Sequence, residues 1–347
     1  MVTIKDIARE AGVSHATVSC VLNGKAKQLR ISDVASERIK AAADQLGYQR
    51  NEIARSMATG RNDVIAFVSC DTGAWEYTGK IMSGIVEEAT RQNFAVKVYN
   101  LAHSAHDNIL RQLIEQRIAG VIFHSSQEID FDLIRHEADK KNIPSATVNL
   151  SNATAGIGVT SDDFQGVKDA VKHLTGLGHC RIAYISDKSR LEFAVNRENG
   201  FMAGMKEYVP SVGNLQIAYG VSTEDDDENQ PVIRNILLKS KDKRPTAIIC
   251  CTDYIACNVL QVACQMGIKV PKDISVIGFA DLEVAKYAVV PLTTVAQPFE
   301  QMGRETANML IETIKNKRIG ILDKAENRKL EVALVIRKST APPQETF

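Results

Sequence analysis

Side chains suited to contacts with nucleic acid are concentrated near the amino terminus. His15 can donate a hydrogen bond to a purine acceptor, and Ala16 can offer only apolar contact, most favourably to a thymine methyl group. Cys20 follows Ala16 by one helical turn. Neighbouring residues are better suited to holding phosphates, which fixes the position of a protein on DNA without reading its sequence. These residues are Thr3, Ser14, Thr17, Ser19, Asn23 and Arg30, although for Thr17 a packed helical position is the alternative.

Two short helices joined by a tight turn would position these side chains. Thr3 can cap a first helix over about 4–11. After a turn at Gly12, Ser14 can cap a second helix over about 15–22. This arrangement is typical of a helix-turn-helix unit, whose second helix enters the major groove. A small helical bundle used for dimer contacts is the alternative.

Apolar residues at helical spacing predict how this small domain packs. The second helix has one apolar stripe, and a third helix, from Ser32 to a stop at Gly47, has another. The stripes comprise Val18, Val21 and Leu22 on the second helix and Val34, Ile39, Ala42 and Leu46 on the third. The sequence therefore predicts an all-α head of three helices.

The charge distribution separates this head from the rest of the chain. The 347 residues contain 42 bases and 42 acids, so the net charge is zero. Residues 1–61 hold ten of the bases and six of the acids, a balance of +4, which leaves 32 bases and 36 acids, or −4, in the remainder. A basic head on an acidic body has the asymmetry of an attached nucleic-acid-binding module, although so small a difference could also be chance.

The larger part of the chain alternates between strand-like and helical patterns. Seven apolar runs resemble strands, over 64–68, 96–99, 121–123, 146–148, 182–186, 247–250 and 276–279. This alternation predicts two α/β units with parallel sheets, and ligands of such folds bind beyond the carboxyl ends of the strands. Trp75 and Tyr77 follow the first strand and could stack on a sugar or base, unless they are isolated surface aromatics.

Several classes of function find no support in the sequence. No apolar run approaches the roughly 20 residues of a membrane span, and the seven cysteines include no CxxC pair, which favours a reducing cytoplasm. The cysteines at 250, 251, 257 and 264 lack the paired spacing of a metal site, and the acidic run 224–228 lacks the glycine of a calcium loop. No phosphate-binding glycine motif and no nucleophile elbow occurs. We therefore expect no cofactor, no metal and no enzymatic activity.

Motifs along nearly the whole chain, about residues 2–340, resemble those of the lac repressor/galactose repressor (LacI/GalR) family of bacterial regulators. The amino-terminal motifs are TIKDIAREAGVSHATVSCVLNG and LGYQRNEIARSMATGR. The later motifs, in the family's order, are GLGHCRIAYIS, NRENGF, RPTAIICCTDYIA, GIKVPKDISVIGFADLEVA and PLTTVAQPFEQMGRETANMLIE.

The resemblance implies a helix-turn-helix head over 1–48, a hinge helix and linker over 49–61, and a periplasmic-binding-protein-like body of two doubly wound lobes. Three crossovers, near 160, 291 and 322, would join the lobes. The N-lobe would comprise 62–160 and 292–322, the C-lobe 161–291 and 323–340, and residues 341–347 would form a tail.

The resemblance also implies further DNA contacts, at Tyr48, Asn51, Arg55 and Met57. Residues 51–58 resemble the family's hinge helix, in which an apolar pair from two chains enters the minor groove. Met57 stands where leucine is typical, and methionine is itself a known intercalating wedge. A plain linker with Met57 in a core contact is the alternative. Cys20 stands where the family commonly has a larger base-reading side chain, so it is interpreted as a small spacer, with redox sensing as the alternative.

The family's effector contacts fall on residues of the cleft between the lobes. The matching positions are Phe193, Arg197, Val221, Thr252, Asp253 and Asp281, to which Trp75 and Tyr77 are added. Arg197 would reach the effector, with a structural salt bridge as the alternative. Ala280 replaces an aspartate and Thr252 an asparagine that are usual in the family, which counts against a simple sugar.

The function implied is that of a cytoplasmic, sequence-specific transcription regulator, most plainly a repressor. It would bind double-stranded operator DNA as a homodimer, and a sugar, sugar derivative or purine-like effector would control its affinity. The alternatives are a cytoplasmic sugar-binding sensor without operator-specific repression and an α/β enzyme with an appended helical domain.

Overall fold

The structure is a computed structural model that describes residues 2–22, 24, 26–27, 29–48, 62–70, 76–101, 106–124, 132–150, 156–210, 216–221, 228–240, 243–316 and 325–344. The chain divides into two compact units, a head over residues 1–62 and a body over 63–347. Within the described ranges, no helix is both long and apolar enough to span a membrane. The predicted hinge over 49–61 lies outside the described residues.

The head contains the three predicted helices, α1 (Ile4–Glu10), α2 (His15–Leu22) and α3 (Asp33–Gln45). Local hydrogen bonds fix where they begin. The Thr3 backbone N–H donates to the Asp6 carboxylate at 2.9 Å, and the Ser14 hydroxyl accepts from the Thr17 N–H at 3.1 Å. These bonds satisfy N–H groups that the first turn of a helix leaves without partners, so the predicted capping residues are confirmed.

The core of the head is formed where the three helices meet. Ile7, Val18 and Ile39, one from each helix, have no exposed surface. Leu22 and Leu46 pack against this cluster but are only partly buried. Val34 was expected in the core and is 80% exposed. The buried positions of α3 are 36, 39, 42 and 43, at helical spacing, and Val34 lies on the opposite side of that stripe.

The described residues of the body form two six-stranded sheets. The N-lobe sheet is formed by β1 (Val64–Ser69), β2 (Ala95–Asn100), β3 (Gly120–His124), β4 (Ser145–Val148), β5 (Gly156–Ser161) and β11 (Ala325–Leu330). Its order is β11-β5-β4-β3-β1-β2, and all pairings are parallel. The helices of this lobe are α4 (Glu76–Arg91), α5 (His106–Glu115), α6 (Asp132–Lys140) and α12 (Phe299–Lys315).

The C-lobe sheet is formed by β6 (Ile182–Asp187), β7 (Gln216–Gly220), β8 (Ala247–Cys250), β9 (Ser275–Ala280), β10 (Thr293–Ala296) and β12 (Ala333–Val335). Its order is β12-β10-β9-β8-β6-β7, with only β12 antiparallel. The helices of this lobe are α7 (Asp163–Gly176), α8 (Glu192–Tyr208), α9 (Asn229–Leu237), α10 (Asp253–Gln265) and α11 (Glu283–Tyr287). All seven predicted strands are confirmed to within one residue.

Two of the three crossovers differ from their predicted places. The first follows Ser161, beside the predicted position. The second was predicted near 291, but β10 pairs with β9, so the chain leaves the C-lobe only at 297–298. The third was predicted near 322, but β11 pairs with β5, so residues 325–330 still belong to the N-lobe. The described residues of the N-lobe therefore lie within 63–161 and 298–330. Pairing across a sheet, and not local pattern, decides to which lobe a strand belongs.

The predicted tail is also shorter than expected. The backbone N–H of Ala341 donates to the Ser275 hydroxyl at 3.1 Å, and the Ala341 carbonyl lies 2.8 Å from His179 Nε2. These bonds fix Ala341 to the C-lobe, since they pair backbone groups that would otherwise need water.

Helices α4 and α12 cross in the N-lobe with their backbones in contact. A Cβ atom on Gly84 would overlap the carbonyl oxygen of Glu300, and one on Gly303 would overlap the carbonyl oxygen of Ile81. Glycine at both positions lets the helices approach closely, and the side chains beside this crossing form much of the N-lobe core.

Candidate DNA-binding and effector-binding sites

The first turn of α2 presents the base-reading candidates to solvent. His15 and Ala16 are exposed, and Cys20 is partly exposed one turn later. Val18 and Val21 fill the opposite side of the helix, which packs on α1 and α3. Helix α2 thus has one apolar face that packs against α1 and α3 and another face that is exposed to solvent and could contact DNA.

The phosphate-holding candidates also have structural partners within the head. The Thr3 hydroxyl donates to the Asp6 carboxylate at 2.7 Å, and the Thr17 and Ser14 hydroxyl oxygens lie 2.8 Å apart. Hydrogen bonding to Thr3 lowers the pKa of Asp6 below its ordinary value. Thr17 therefore makes a capping contact with Ser14 and is also partly exposed to solvent.

The remaining DNA-contact candidates fall into two groups. Arg30 is exposed in a left-handed backbone conformation, Ser19 is partly exposed, and Tyr48 packs partly against the core of the head. The other candidates lie outside the described residues, and they are Asn23, Asn51, Arg55 and Met57.

Arg197 of α8 is the centre of a buried hydrogen-bond network in the C-lobe. Its side chain donates to the Asp163 carboxylate at 2.8 Å, to the Cys251 carbonyl at 2.6 Å and to the Gln297 amide oxygen at 3.0 Å. Only 3% of the residue is exposed. The guanidinium group also lies over the Phe279 ring, 3.8 Å from its centroid, and over the Phe193 ring at 4.9 Å.

The network joins the first two crossovers between the lobes. The Gln297 amide donates to the Ser161 hydroxyl at 2.7 Å, and that hydroxyl donates to Asp163 at 2.5 Å. Burial raises the pKa of the Asp163 carboxyl above its ordinary value, and the Arg197 charge opposes this shift. Sequence reasoning missed Ser161, Asp163 and Gln297, and the only local signal was the pair of adjacent acids at 162–163.

Asp253, at the start of α10, is fully buried and holds two neighbouring segments of the C-lobe. Its carboxylate accepts from the Thr294 hydroxyl at 2.5 Å and from the Leu282 backbone N–H at 2.8 Å. Thr252 caps the same helix by accepting from the Ile255 N–H at 3.3 Å. Burial raises the pKa of Asp253 to about 6, and the two hydrogen bonds oppose this shift.

The raised pKa predicts how Asp253 affects stability. Because the folded protein holds this proton more tightly than the unfolded chain, whose pKa is about 3.8, the contribution of Asp253 to stability is full below that value and is lost as the pH rises toward 6. Asp253→Asn removes the titration and keeps an acceptor for the Leu282 N–H. From about pH 4 to about pH 7, we expect the free energy of unfolding of the variant to rise relative to that of the parent chain by at most about 3 kcal/mol. Urea unfolding at each pH measures this difference, and parallel curves would contradict it.

The other predicted effector contacts lie on both lobes. On the C-lobe, Asp281 has a left-handed backbone conformation and accepts from Arg337 at 2.5 Å, and Val221 is buried at the end of β7. On the N-lobe, the Tyr77 ring lies 5.8 Å from the His124 ring and 5.6 Å from the Phe299 ring. Trp75 lies outside the described residues. Polar and aromatic candidates therefore occur at the carboxyl ends of both sheets, where α/β proteins bind ligands.

The two lobes touch each other at this end. The backbone N–H of Glu283 in the C-lobe donates to the Glu76 carboxylate of the N-lobe at 2.8 Å. Ala280 and Leu282, also from the C-lobe, are buried in an apolar cluster made mainly by the N-lobe. The structure thus has the lobes in direct contact beside the predicted effector residues.

Comparison of the chain with known proteins identifies its family. The family model described as "Bacterial regulatory proteins, lacI family" matches residues 3–51, and the "Periplasmic binding protein-like domain" matches residues 171–340. A relative named "HTH-type transcriptional repressor PurR", from Photobacterium profundum, is 32% identical over 345 residues, and the match covers 98% of both chains. The chain belongs to the LacI family. The regulator DegA of Bacillus subtilis is likewise 32% identical over 351 residues, with 98% of each chain covered.

Solved structures of LacI-family regulators have the same fold. The lac repressor dimer bound to operator and the anti-inducer ONPF has a TM-score of 0.77 and 26% identity, over 98% of this chain and 99% of that one. The CelR–cellobiose complex has a TM-score of 0.69 and 25% identity, over 98% and 100%. The predicted head and the predicted two-lobed body are therefore confirmed, and this LacI-family chain is a DNA-binding transcriptional regulator with an effector-binding domain.

Proposed function

We propose that this LacI-family chain is a repressor that binds a pseudo-palindromic operator as a homodimer and responds to a small effector held between its lobes. The observation that carries the proposal is the exposed first turn of α2, where His15 and Ala16 point away from the core of the head. The second helix of a helix-turn-helix unit reads base edges with its amino-terminal residues. Two heads of +4 each would add salt-sensitive attraction to phosphates.

The effector proposal rests on the residues between the two sheets. Tyr77 on one lobe and Phe193 on the other offer ring faces, and the polar network around Arg197 lies beside Phe193. The structural relative CelR is described in complex with cellobiose. We infer that the effector is a sugar, a sugar derivative or a purine-like molecule, which would change operator affinity by favouring one arrangement of the lobes.

We also infer that the chain works in the bacterial cytoplasm and binds its effector without converting it. The relatives are named as transcriptional regulators, and a regulator must be in the compartment that contains the DNA it binds. Nuclear magnetic resonance of a bound ligand before and after incubation tests for turnover.

Selection of genomic fragments with the full chain, followed by gel shifts at physiological salt, tests the regulator proposal. We expect enrichment of a short inverted repeat that the chain binds about 10³-fold or more tightly than unrelated DNA of the same length. Uniform affinity for all fragments would contradict operator-specific repression and favour a sensor that binds a ligand without reading DNA.

His15→Ala is expected to weaken binding to the selected operator about tenfold, because it removes a donor to one base pair of each half-site. Binding to unrelated DNA should change little, since phosphate contacts supply that affinity. Gln45→Ala, which truncates an exposed neutral side chain on α3, is the matched control and should leave both affinities unchanged. Equal gel-shift affinities for His15→Ala and Gln45→Ala would remove His15 from the recognition surface.

A further inference from the structure

The charged side chains at the carboxyl end of the C-lobe sheet are paired with one another. Among the described residues of this end, each base named below lies beside an acid of the same lobe, within hydrogen-bond distance. The pairs are Arg197 with Asp163 at 2.8 Å, Arg190 with Glu198 at 2.5 Å, Arg337 with Asp281 at 2.5 Å, and Lys188 with Glu228. The positive charges on this wall of the cleft are thus already neutralised.

Arg197 differs from the others because its pair is buried. Its side chain is 4% exposed and that of Asp163 is 6% exposed, so water screens neither charge. In a buried site one negative charge is enough to balance the guanidinium charge. A second anion at Arg197 would lie close to the Asp163 carboxylate and would be repelled by it. Arg197 is therefore a poor anchor for a phosphate or a carboxylate.

The N-lobe wall adds no free positive charge among its described residues. Lys80 pairs with Glu76 at 2.5 Å, and Lys329 lies 3.6 Å from Asp162.

Neutral polar atoms could still be recognised at Arg197. The guanidinium group has five N–H bonds, and its three hydrogen bonds to Asp163, Cys251 and Gln297 leave two N–H groups for another acceptor. A hydroxyl or carbonyl oxygen can accept from them without adding charge. The partly buried rings of Tyr77 and Phe193 suit the face of a sugar or a planar heterocycle.

We propose that the cleft binds an uncharged effector and rejects phosphorylated or carboxylated forms of the same molecule, because Asp163 already neutralises Arg197. This inference rests on the proposed function, since it takes the cleft as the effector site. It narrows that function to one class of ligand, neutral molecules with acceptor oxygens and a flat face.

Thermal unfolding of the full chain with matched pairs of probes tests the proposal. The pairs are glucose with glucose 6-phosphate, ribose with ribose 5-phosphate, cellobiose with cellobionate, and guanosine with guanosine 5′-monophosphate, all at equal ionic strength. We expect the neutral member of at least one pair to raise Tm saturably, by about 5 °C near 100 times its Kd, and no charged member to do so. A saturable rise with a charged member, or no rise with any neutral member, would overturn the proposal.

Asp163→Asn supplies a second, independent measurement. This substitution leaves the buried Arg197 without its counter-charge, so inorganic phosphate should raise the Tm of the variant by several degrees more than that of the parent chain. Asp169→Asn makes the same change six residues further along α7, where the carboxylate accepts from Gln165, and should respond to phosphate as the parent does. Equal responses of the two variants would contradict the proposal. If Asp163→Asn fails to fold, the pairs of probes with the parent chain still decide.

The outcomes separate this inference from the proposed function. Operator selection, run without effector and again with each neutral probe, measures DNA binding alone, so a failure in every run counts against repression and not against the charge of the ligand. Conversely, stabilisation by a sugar phosphate alongside a selective operator would keep the regulator and reject the uncharged effector.

Discussion

Replacing Gly84 by alanine is expected to destabilise the body by about 4 kcal/mol, one of the largest effects of any single methyl group in this chain. The added Cβ would overlap the Glu300 carbonyl oxygen and would lie 3.0 Å from the Arg304 backbone nitrogen. Both are backbone atoms, which cannot rotate away as a side chain can. Helices α4 and α12 would have to separate, and the apolar contacts beside their crossing would be lost.

The same helix offers a matched control in Gly79. A Cβ there would meet no atom within 4 Å, and alanine favours a helix over glycine by up to about 1 kcal/mol. Gly79→Ala should therefore raise the free energy of unfolding while Gly84→Ala lowers it. Urea unfolding of the two variants measures both signs, and a shift in the same direction would show that the close crossing of α4 and α12 contributes little.

Arg197→Met is the second large effect that we expect, a loss of about 3–5 kcal/mol in the free energy of unfolding. Methionine has a similar length and can lie between Phe193 and Phe279. The loss would therefore come mainly from the buried charge of Asp163, which would remain without an opposite charge beside it. The Ser161 hydroxyl and the Gln297 amide would still donate to that carboxylate, which would not replace the guanidinium charge.

The double variant Arg197→Met with Asp163→Asn separates charge from packing. Removing both charges should recover most of the loss, because replacing a whole buried ion pair by neutral groups often costs little. Urea unfolding of the parent, both single variants and the double variant gives the coupling between the two sites. Additive losses would mean that the pair contributes no interaction of its own and that packing at position 197 explains the whole effect.

Local signals were sufficient to predict the head and the central strands. Thr3, Ser14 and Ser32 mark the starts of the three helices, and each is hydrogen-bonded to a residue three positions later in the sequence. The sequence near each residue is therefore enough to predict where its helix begins. The central strands of both sheets are continuous apolar runs because both of their faces are covered. Pattern and structure therefore agree on where these helices and strands lie, although the pattern wrongly placed Val34 in the core of the head.

The features that the sequence could not predict depend on contacts between residues far apart in the chain. Strand β11 is an exposed edge strand with the sequence AENRKL, whose composition resembles a polar loop. The assignment of β10 to the C-lobe depends on its pairing with β9, which no local pattern records. In the cleft, Arg197 was predicted from a motif, but its partners Asp163 and Gln297 lie 34 and 100 residues away in sequence.

The bonds between the crossovers have a mechanical consequence for the body. The first and second crossovers are joined by the Gln297–Ser161 bond, and the first and third by the Asp162 N–H, which donates to the Leu330 carbonyl at 2.8 Å. If the three crossover segments were not bonded to one another, the lobes could twist and slide past each other as well as open. Because hydrogen bonds join the three connecting segments, we expect them to bend together as a single hinge. The lobes would then rotate as rigid bodies about one axis, and one angle would describe how far the cleft is open.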